Sequence, residues 1–322
     1  MTFDHPAKSV LSVCAILLAT SSPAFGQANR GARVANAQQP GQRQAAQPTA
    51  GPWGQLSPQL QAHTDKVLKF WEFHSDKIQR YRCEFKRWEY DQVFHAKEPQ
   101  TVSAGRIMYA KPDKGLFEVT KLHQGRKMPD GTVKYTLQQQ ADLEKWICDG
   151  KTIFQFDHRN KRLNVQPLPP NLQGKQIVEG PLPFFFGAKM AQIKARYWVR
   201  VNPEVRDKFW IEAYPKRQED LANFRRIDVV IPDTKEYLPK AIIMHHPGGS
   251  RTTFEFENRD SNWKDDPLKP LRIWEREFYN PKTPKGWQRI DQPLAQAPPP
   301  RQRSFAPPAQ AQRVSRTAPT NR

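Results

Sequence analysis

The chain has 322 residues, 26% of them charged, with 51 Lys and Arg against 32 Asp and Glu and a formal net charge of +19. That length suffices for one domain with a sizeable core. Beyond the N-terminal leader no run approaches the roughly 18 apolar residues of a membrane-spanning helix, so the mature chain is expected to be soluble and without a transmembrane segment.

Residues 1–26 read as a secretory signal peptide: Lys8 supplies positive charge, residues 10–19 are apolar, and Ala24-Phe25-Gly26 forms a small-x-small cleavage site before Gln27. A lipoprotein box ending at Cys14 is disfavoured by the bulky Val13. Residues 27–56 are rich in Gln, Ala, Gly and Pro. Residues 280–322 are rich in Pro, Gln, Arg and Ala, with Asp291 the one acid. Neither segment carries enough apolar surface to offset its ordering entropy, so both are expected to be disordered. The folded domain is then residues 57–279. The basic tail suits an anionic envelope surface. Nucleic acid is a poor partner for an exported chain without an RNA-binding motif.

Ser57 as N-cap and Pro58 at the first helical position open a helix that continues through Leu60, Val67, Phe70, Trp71 and Ile78 to residue 80. Strands follow at 81–94, 103–110 and 116–122, the last two joined by the turn at 112–115. Residues 123–131 are polar and basic, as in a loop, and 133–137 reads as a strand. Residues 145–165 form a meander: 146–148, the Asp149-Gly150 turn, 153–156, a polar turn, then 163–165. Its aromatics at a period of two suggest a curved sheet with one apolar face.

Prolines at 167, 169, 170, 181 and 183 exclude an interior strand. They lead into Phe184-Phe185-Phe186 and a short helix over 188–195, a segment suited to a flap or to an ordinary crossover loop. Strands resume at 197–201, 209–214, 224–231, 240–245 and 251–257, with Pro247-Gly248-Gly249 linking the last two. Residues 271–274 read as a last edge strand or a helical remnant. The sum is about eleven strands and two helical pieces: an α+β fold with a strongly curved antiparallel sheet, an unclosed barrel, covered by helices.

Catalytic motifs are missing. There is no G-x-S-x-G elbow and no H-E-x-x-H. His245 and His246 are adjacent, so on a strand they face opposite ways and cannot share a metal. The chain therefore reads as non-enzymatic, with no cofactor. Cys83 and Cys148 are candidates for a disulfide in an oxidising compartment, or else two small buried side chains. Aromatic alternation nominates Trp88, Tyr90, Tyr109, Phe117, Trp146, Phe154, Phe156, Phe185 and Trp198 as walls of an apolar cavity.

Longer runs carry a resemblance. Residues 85–91 (FKRWEYD), 109–115 (YAKPDKG), 146–151 (WICDGK), 179–189 (EGPLPFFFGAK), 194–198 (KARYW) and 214–220 (YPKRQED) resemble a family of secreted planctomycete proteins of unknown function, across about residues 60–262. More distantly, Gly105-x-Ile107-x-Tyr109 leading to Lys111-Pro112, then Asp149-Gly150-Lys151 with Phe154-x-Phe156-Asp157, resemble the periplasmic lipoprotein carrier (LolA-like) fold. That resemblance implies a half-barrel in the periplasm or cell envelope with a lipid or acyl-chain ligand. In the carrier an Arg before the Pro pins a helical lid; Lys111 stands there in this chain and lacks the planar fork. The alternative is a structural envelope protein with a filled core and basic tails that bind anionic polymers.

Overall fold

The computed structural model describes residues 50–92, 97–139, 142–170, 173, 189–234, 237–262 and 281–293. The expected signal peptide, most of the two terminal segments, the Phe184–186 run with Phe185, and residues 271–274 lie outside the described residues.

Helix α1 (Pro58–Lys77) starts where its chemistry dictates: the Ser57 hydroxyl accepts from the Leu60 N–H at 3.3 Å and Pro58 occupies the first turn. It buries Thr64, Val67, Leu68, Trp71 and Ser75, one face at helical spacing. Phe70 does not belong to that face, although the sequence grouped it there: it is 49% exposed, and Phe73 is 54% exposed.

The strands are β1 (Arg80–Tyr90), β2 (Thr101–Ala110), β3 (Lys114–Lys127), β4 (Val133–Leu137), β5 (Lys145–Cys148), β6 (Thr152–Asp157), β7 (Arg162–Pro167), β8 (Tyr197–Val201), β9 (Lys208–Pro215), β10 (Arg226–Pro232), β11 (Ala241–His245), β12 (Arg251–Ser261) and β13 (Gln288–Asp291). Two short helices, α2 (Met190–Arg196) and α3 (Gln218–Leu221), flank β8 and β9. All thirteen strands join one sheet in the order β13-β7-β6-β5-β3-β2-β1-β12-β11-β10-β9-β8, with β4 hairpinned onto β3. Among the described residues its two ends are not paired to each other, so the sheet is open. Every pairing is antiparallel except β13 with β7.

Two strands exceed expectation. Residues 123–127, expected as loop, extend β3, and a turn in which the Met128 N–H donates to the Thr132 carbonyl at 2.8 Å brings back β4. This hairpin is only partly buried on either face, so its residues never had to alternate. β13 lies inside the tail expected to be disordered. Trp287, just before it, packs on Phe156 at 6.1 Å and His158 at 5.1 Å, and the ladder with β7 satisfies its backbone. Near the other terminus, Gly51 and Gly54 form a bridged turn that sets Trp53 against Tyr214 at 5.1 Å. Order therefore extends beyond 57–279 on both sides.

The registers divide the side chains between two faces. Cys83, Ile107, Phe117 and Trp146 align across β1, β2, β3 and β5 on the face that α1 covers, and Phe85 shares that face two residues along β1. Val199, Ala213, Ile227 and Met244 continue that face across β8 to β11. Phe85 lies over Gly105, where a Cβ would stand 2.0 Å from the Glu118 carbonyl and 2.7 Å from the Phe85 ring. The register of β2 on β3 shifts at this point. A second core of Leu116, Ile147, Phe154, Leu163 and Val165 lies on the opposite face. The meander thus has two apolar faces, not the expected one.

Cys83 and Cys148 are free and buried. They lie on β1 and β5, three strand spacings apart, about 14 Å at the usual spacing and beyond the reach of a disulfide. The expected bridge is absent for that reason.

Candidate functional site: an aromatic and cationic hollow along the first helix

Between α1 and the sheet the described side chains pack closely. Trp71 is 1% exposed, and the Phe85, Phe117 and Trp146 rings stack in sequence at 4.9 and 5.6 Å. Phe254 closes on Phe85 at 5.5 Å. A buried cation sits among them: Arg87 donates to Ser103 Oγ at 3.0 Å and to Glu144 Oε2 at 2.7 Å, under the faces of Phe117 and Phe254.

The nine aromatics nominated from sequence do not form one wall. Tyr109, Phe117 and Trp146 point to the α1 side and belong to, or pack on, its core. Trp88, Tyr90, Phe154, Phe156 and Trp198 alternate to the opposite face. Phe185 lies outside the described residues.

A second group of rings, reaching from buried Tyr237 to half-exposed Phe70, gathers elsewhere. Phe70 contacts His74 at 4.9 Å and Tyr237 at 5.1 Å; His74 stacks on Tyr237 at 5.7 Å; Phe209 reaches Tyr237 at 5.2 Å. Tyr237 is held in left-handed backbone conformation (φ 52°) on the loop after β10, which turns its ring toward α1. Burial, followed by the nearby Lys77, lowers the His74 pKa, so the ring is neutral at neutral pH. Burial, then Asp233, raises that of Tyr237. Beside this cluster a hollow of about 490 Å³ runs along α1, with Ala62, Asp65, Lys66, Lys69 and Phe70 as its described lining. Asp65 is already engaged by Lys194 Nζ at 2.8 Å and Gln61 Nε2 at 2.9 Å, which leaves Lys66 and Lys69 as the cations at its rim. A ring floor with ammonium groups at one margin accommodates an apolar chain with an anionic head.

Sequence reasoning missed Lys66, Lys69, Phe73, His74, Phe209 and Tyr237. The available signal was Phe70 and Phe73, two large apolar residues outside the Thr64-Val67-Leu68-Trp71 face.

The helix is latched in place. Lys111 Nζ donates to the Asp76 carbonyl, Lys189 Nζ donates to both Asp76 carboxylate oxygens at 2.7 and 2.6 Å, and the Met190 N–H donates to Glu72 Oε2 at 3.2 Å. Among the described residues no three His, Cys, Asp or Glu converge for a metal ion, and no helix is long and apolar enough to cross a membrane.

No protein-family model and no curated protein matches the sequence, so the planctomycete resemblance rests on its quoted runs alone. Solved structures show distant likeness. An uncharacterized conserved protein from Thermus thermophilus is 8% identical with a TM-score of 0.38, over 71% of this chain and 98% of that one. The MucA/MucB complex of Pseudomonas aeruginosa is 14% identical with a TM-score of 0.31, over 64% and 60%. A LolA superfamily protein from Nitrosomonas europaea is 7% identical with a TM-score of 0.29, over 64% and 96%.

Proposed function

We propose that this chain is an exported, non-enzymatic envelope protein that binds a lipid or acyl chain in the hollow along α1. The observation that carries this reading is the half-exposed Phe70 ring at the floor of a hollow of about 490 Å³, with Lys66 and Lys69 beside it. That volume falls within the range of roughly 300–1,000 Å³ usual for small-molecule sites. Each methylene removed from water contributes about 0.8 kcal/mol. The Phe70 ring in the hollow and the exposed Phe73 ring on the same helix offer apolar surface for the chain, and the two lysines suit a carboxylate or phosphate head. Tyr109, Phe117 and Trp146 would join the site only if α1 lifted, which the Lys111 and Lys189 latches oppose.

The test is to purify the chain under native conditions, analyse its organic extract by mass spectrometry, and titrate it with a fluorescent fatty acid. Bound lipid and saturable binding, weakened by Phe70→Asp and by Lys66→Glu with Lys69→Glu, are expected. An empty extract together with no fatty-acid binding would sink the proposal.

The close packing of Trp71, Phe85, Phe117 and Trp146 favours a second reading, a scaffold whose basic tail binds anionic polymers. Because β13 belongs to the sheet, the informative truncation begins after Gln292 rather than at Pro281. Unchanged envelope fractionation of that shorter chain would count against the scaffold.

A further inference from the structure

The face of β8–β12 and β1 that points away from α1 carries a row of rings and cations. Trp198 pairs with Tyr214, Arg226 Nη1 donates to Tyr214 Oη at 3.3 Å, and Arg226 pairs with His245, His245 with Arg251, and Arg251 with Tyr90. Six adjacent strands contribute one residue each, so the row is about 24 Å long at the usual strand spacing. All six side chains are partly exposed. The cations lie against the rings: Arg251 stands 4.0 Å from the Tyr90 centroid and Lys216 Nζ 4.2 Å from that of Trp198.

A second row fixes the first. Asp228 is fully buried, with Arg226 Nε 2.9 Å from Oδ1 and His245 Nε2 3.0 Å from Oδ2. Glu212, also buried, takes Arg200 Nε at 2.6 Å and Asn202 Nδ2 at 3.2 Å. Both carboxylates therefore lie beneath the surface, each paired with an arginine (Glu212 with Arg200, Asp228 with Arg226), and Lys216 and Arg251 stand partly exposed as the further cations of the row. At one end the row already holds a flat ring: Trp53 meets Tyr214 edge-on, and the Arg200 guanidinium lies 4.7 Å from its centroid.

We infer that this row binds an acidic polysaccharide, a linear glycan whose sugars carry carboxylates. The rings offer flat apolar faces to pyranose rings, guanidinium forks match carboxylates, and the unbroken row across six strands suits an extended polymer. The site lies on the opposite side of the sheet from the α1 hollow and does not depend on it.

The test is calorimetric titration of the full chain with an oligogalacturonate and with a neutral oligosaccharide of equal length. Saturable binding of the acidic oligomer alone is expected. Arg251→Gln should weaken it about tenfold, the loss of one charge-assisted contact, and Arg251→Lys should weaken it less. Trp198→Ala should also weaken it, and a chain with Arg301, Arg303, Arg313 and Arg316 all changed to Gln should bind as the parent does. Circular dichroism checks that each variant folds. Equal binding of the neutral oligomer, parent-like affinity of both Arg251→Gln and Trp198→Ala, loss of binding only in the tail variant, or tighter binding of a single-stranded oligonucleotide would each overturn the assignment.

Discussion

Lys111 Nζ donates to the backbone carbonyl of Asp76 at 2.5 Å, tying the end of β2 to the last turn of α1. The bond satisfies a carbonyl that the helix leaves without an internal partner, and it places a cation at the negative end of the helix dipole. Lys111→Met should lower stability by about 1 kcal/mol, and Lys111→Arg should retain most of it. Chemical denaturation of the two variants checks this; equal loss in both would show that the lysine matters by its shape rather than by its donor.

Arg87 is 2% exposed and bonded to Glu144 and Ser103. Arg87→Ala removes the charge that compensates Glu144 and leaves the Ser103 hydroxyl unpaired in the core. A loss of about 3 kcal/mol is expected, measured as a shift of the urea midpoint at unchanged slope. Restoring the volume with Arg87→Met should recover part of it.

The arrangement around Arg87 shows how much was legible beforehand. Ser57-Pro58 marked the helix start, and Asp149-Gly150 marked a turn that exists as read, with Gly150 at φ 93° and Asp149 Oδ1 accepting from the Lys151 and Thr152 N–H groups. Such features are local, so the chain states them directly. Which face Trp146 and Phe154 occupy depends on partners in β3 and β7, and alternation along one strand cannot tell one buried face from two. The cluster at Phe70 needs Tyr237, brought in from 167 positions away by the loop after β10. β13 was hidden because a four-residue parallel edge strand needs little apolar sequence of its own.

Both described cysteines should be inert in the folded chain. Burial pushes the Cys83 and Cys148 thiols up to about 12, leaving roughly one part in ten thousand as thiolate at pH 8. Iodoacetamide should leave both unmodified in native protein and label both in guanidinium chloride, as read by peptide mass. Labelling of either thiol under native conditions would contradict the buried placement.

His246 contributes a pH dependence. Its Nδ1 lies 3.1 Å from the Asn223 carbonyl and its Nε2 3.1 Å from Thr252 Oγ1; since a carbonyl only accepts, Nδ1 carries the proton and Nε2 accepts from Thr252. Burial lowers its pKa below 6.5. A depressed histidine leaves the folded state with fewer protons than the unfolded one, so its contribution is complete above pH 6.5 and is lost as pH falls through the folded value. Stability should decline with falling pH in that window, and His246→Gln should flatten the decline.

Trp287 should anchor β13. Its ring touches Phe156 and His158, and the four-residue ladder beyond it is mostly exposed. Trp287→Ala is expected to cost about 1–2 kcal/mol, less than a fully buried Trp, and to speed hydrogen exchange in β7. Unchanged protection of the Leu163 and Val165 amides would show that the edge strand holds without its anchor.

The pairing of β1 with β12 governs how the chain assembles. Tyr90 meets Arg251 and Tyr81 meets Ser261, residues separated by 161 and 180 positions. β2 to β7 can zip as each hairpin is synthesised, and β8 to β12 can do the same later. Until β12 has emerged, β1 presents an unpaired edge with Phe85 and Trp88 beside it. This interval is when aggregation threatens most, and closure of the β1–β12 seam is the natural slow step of folding.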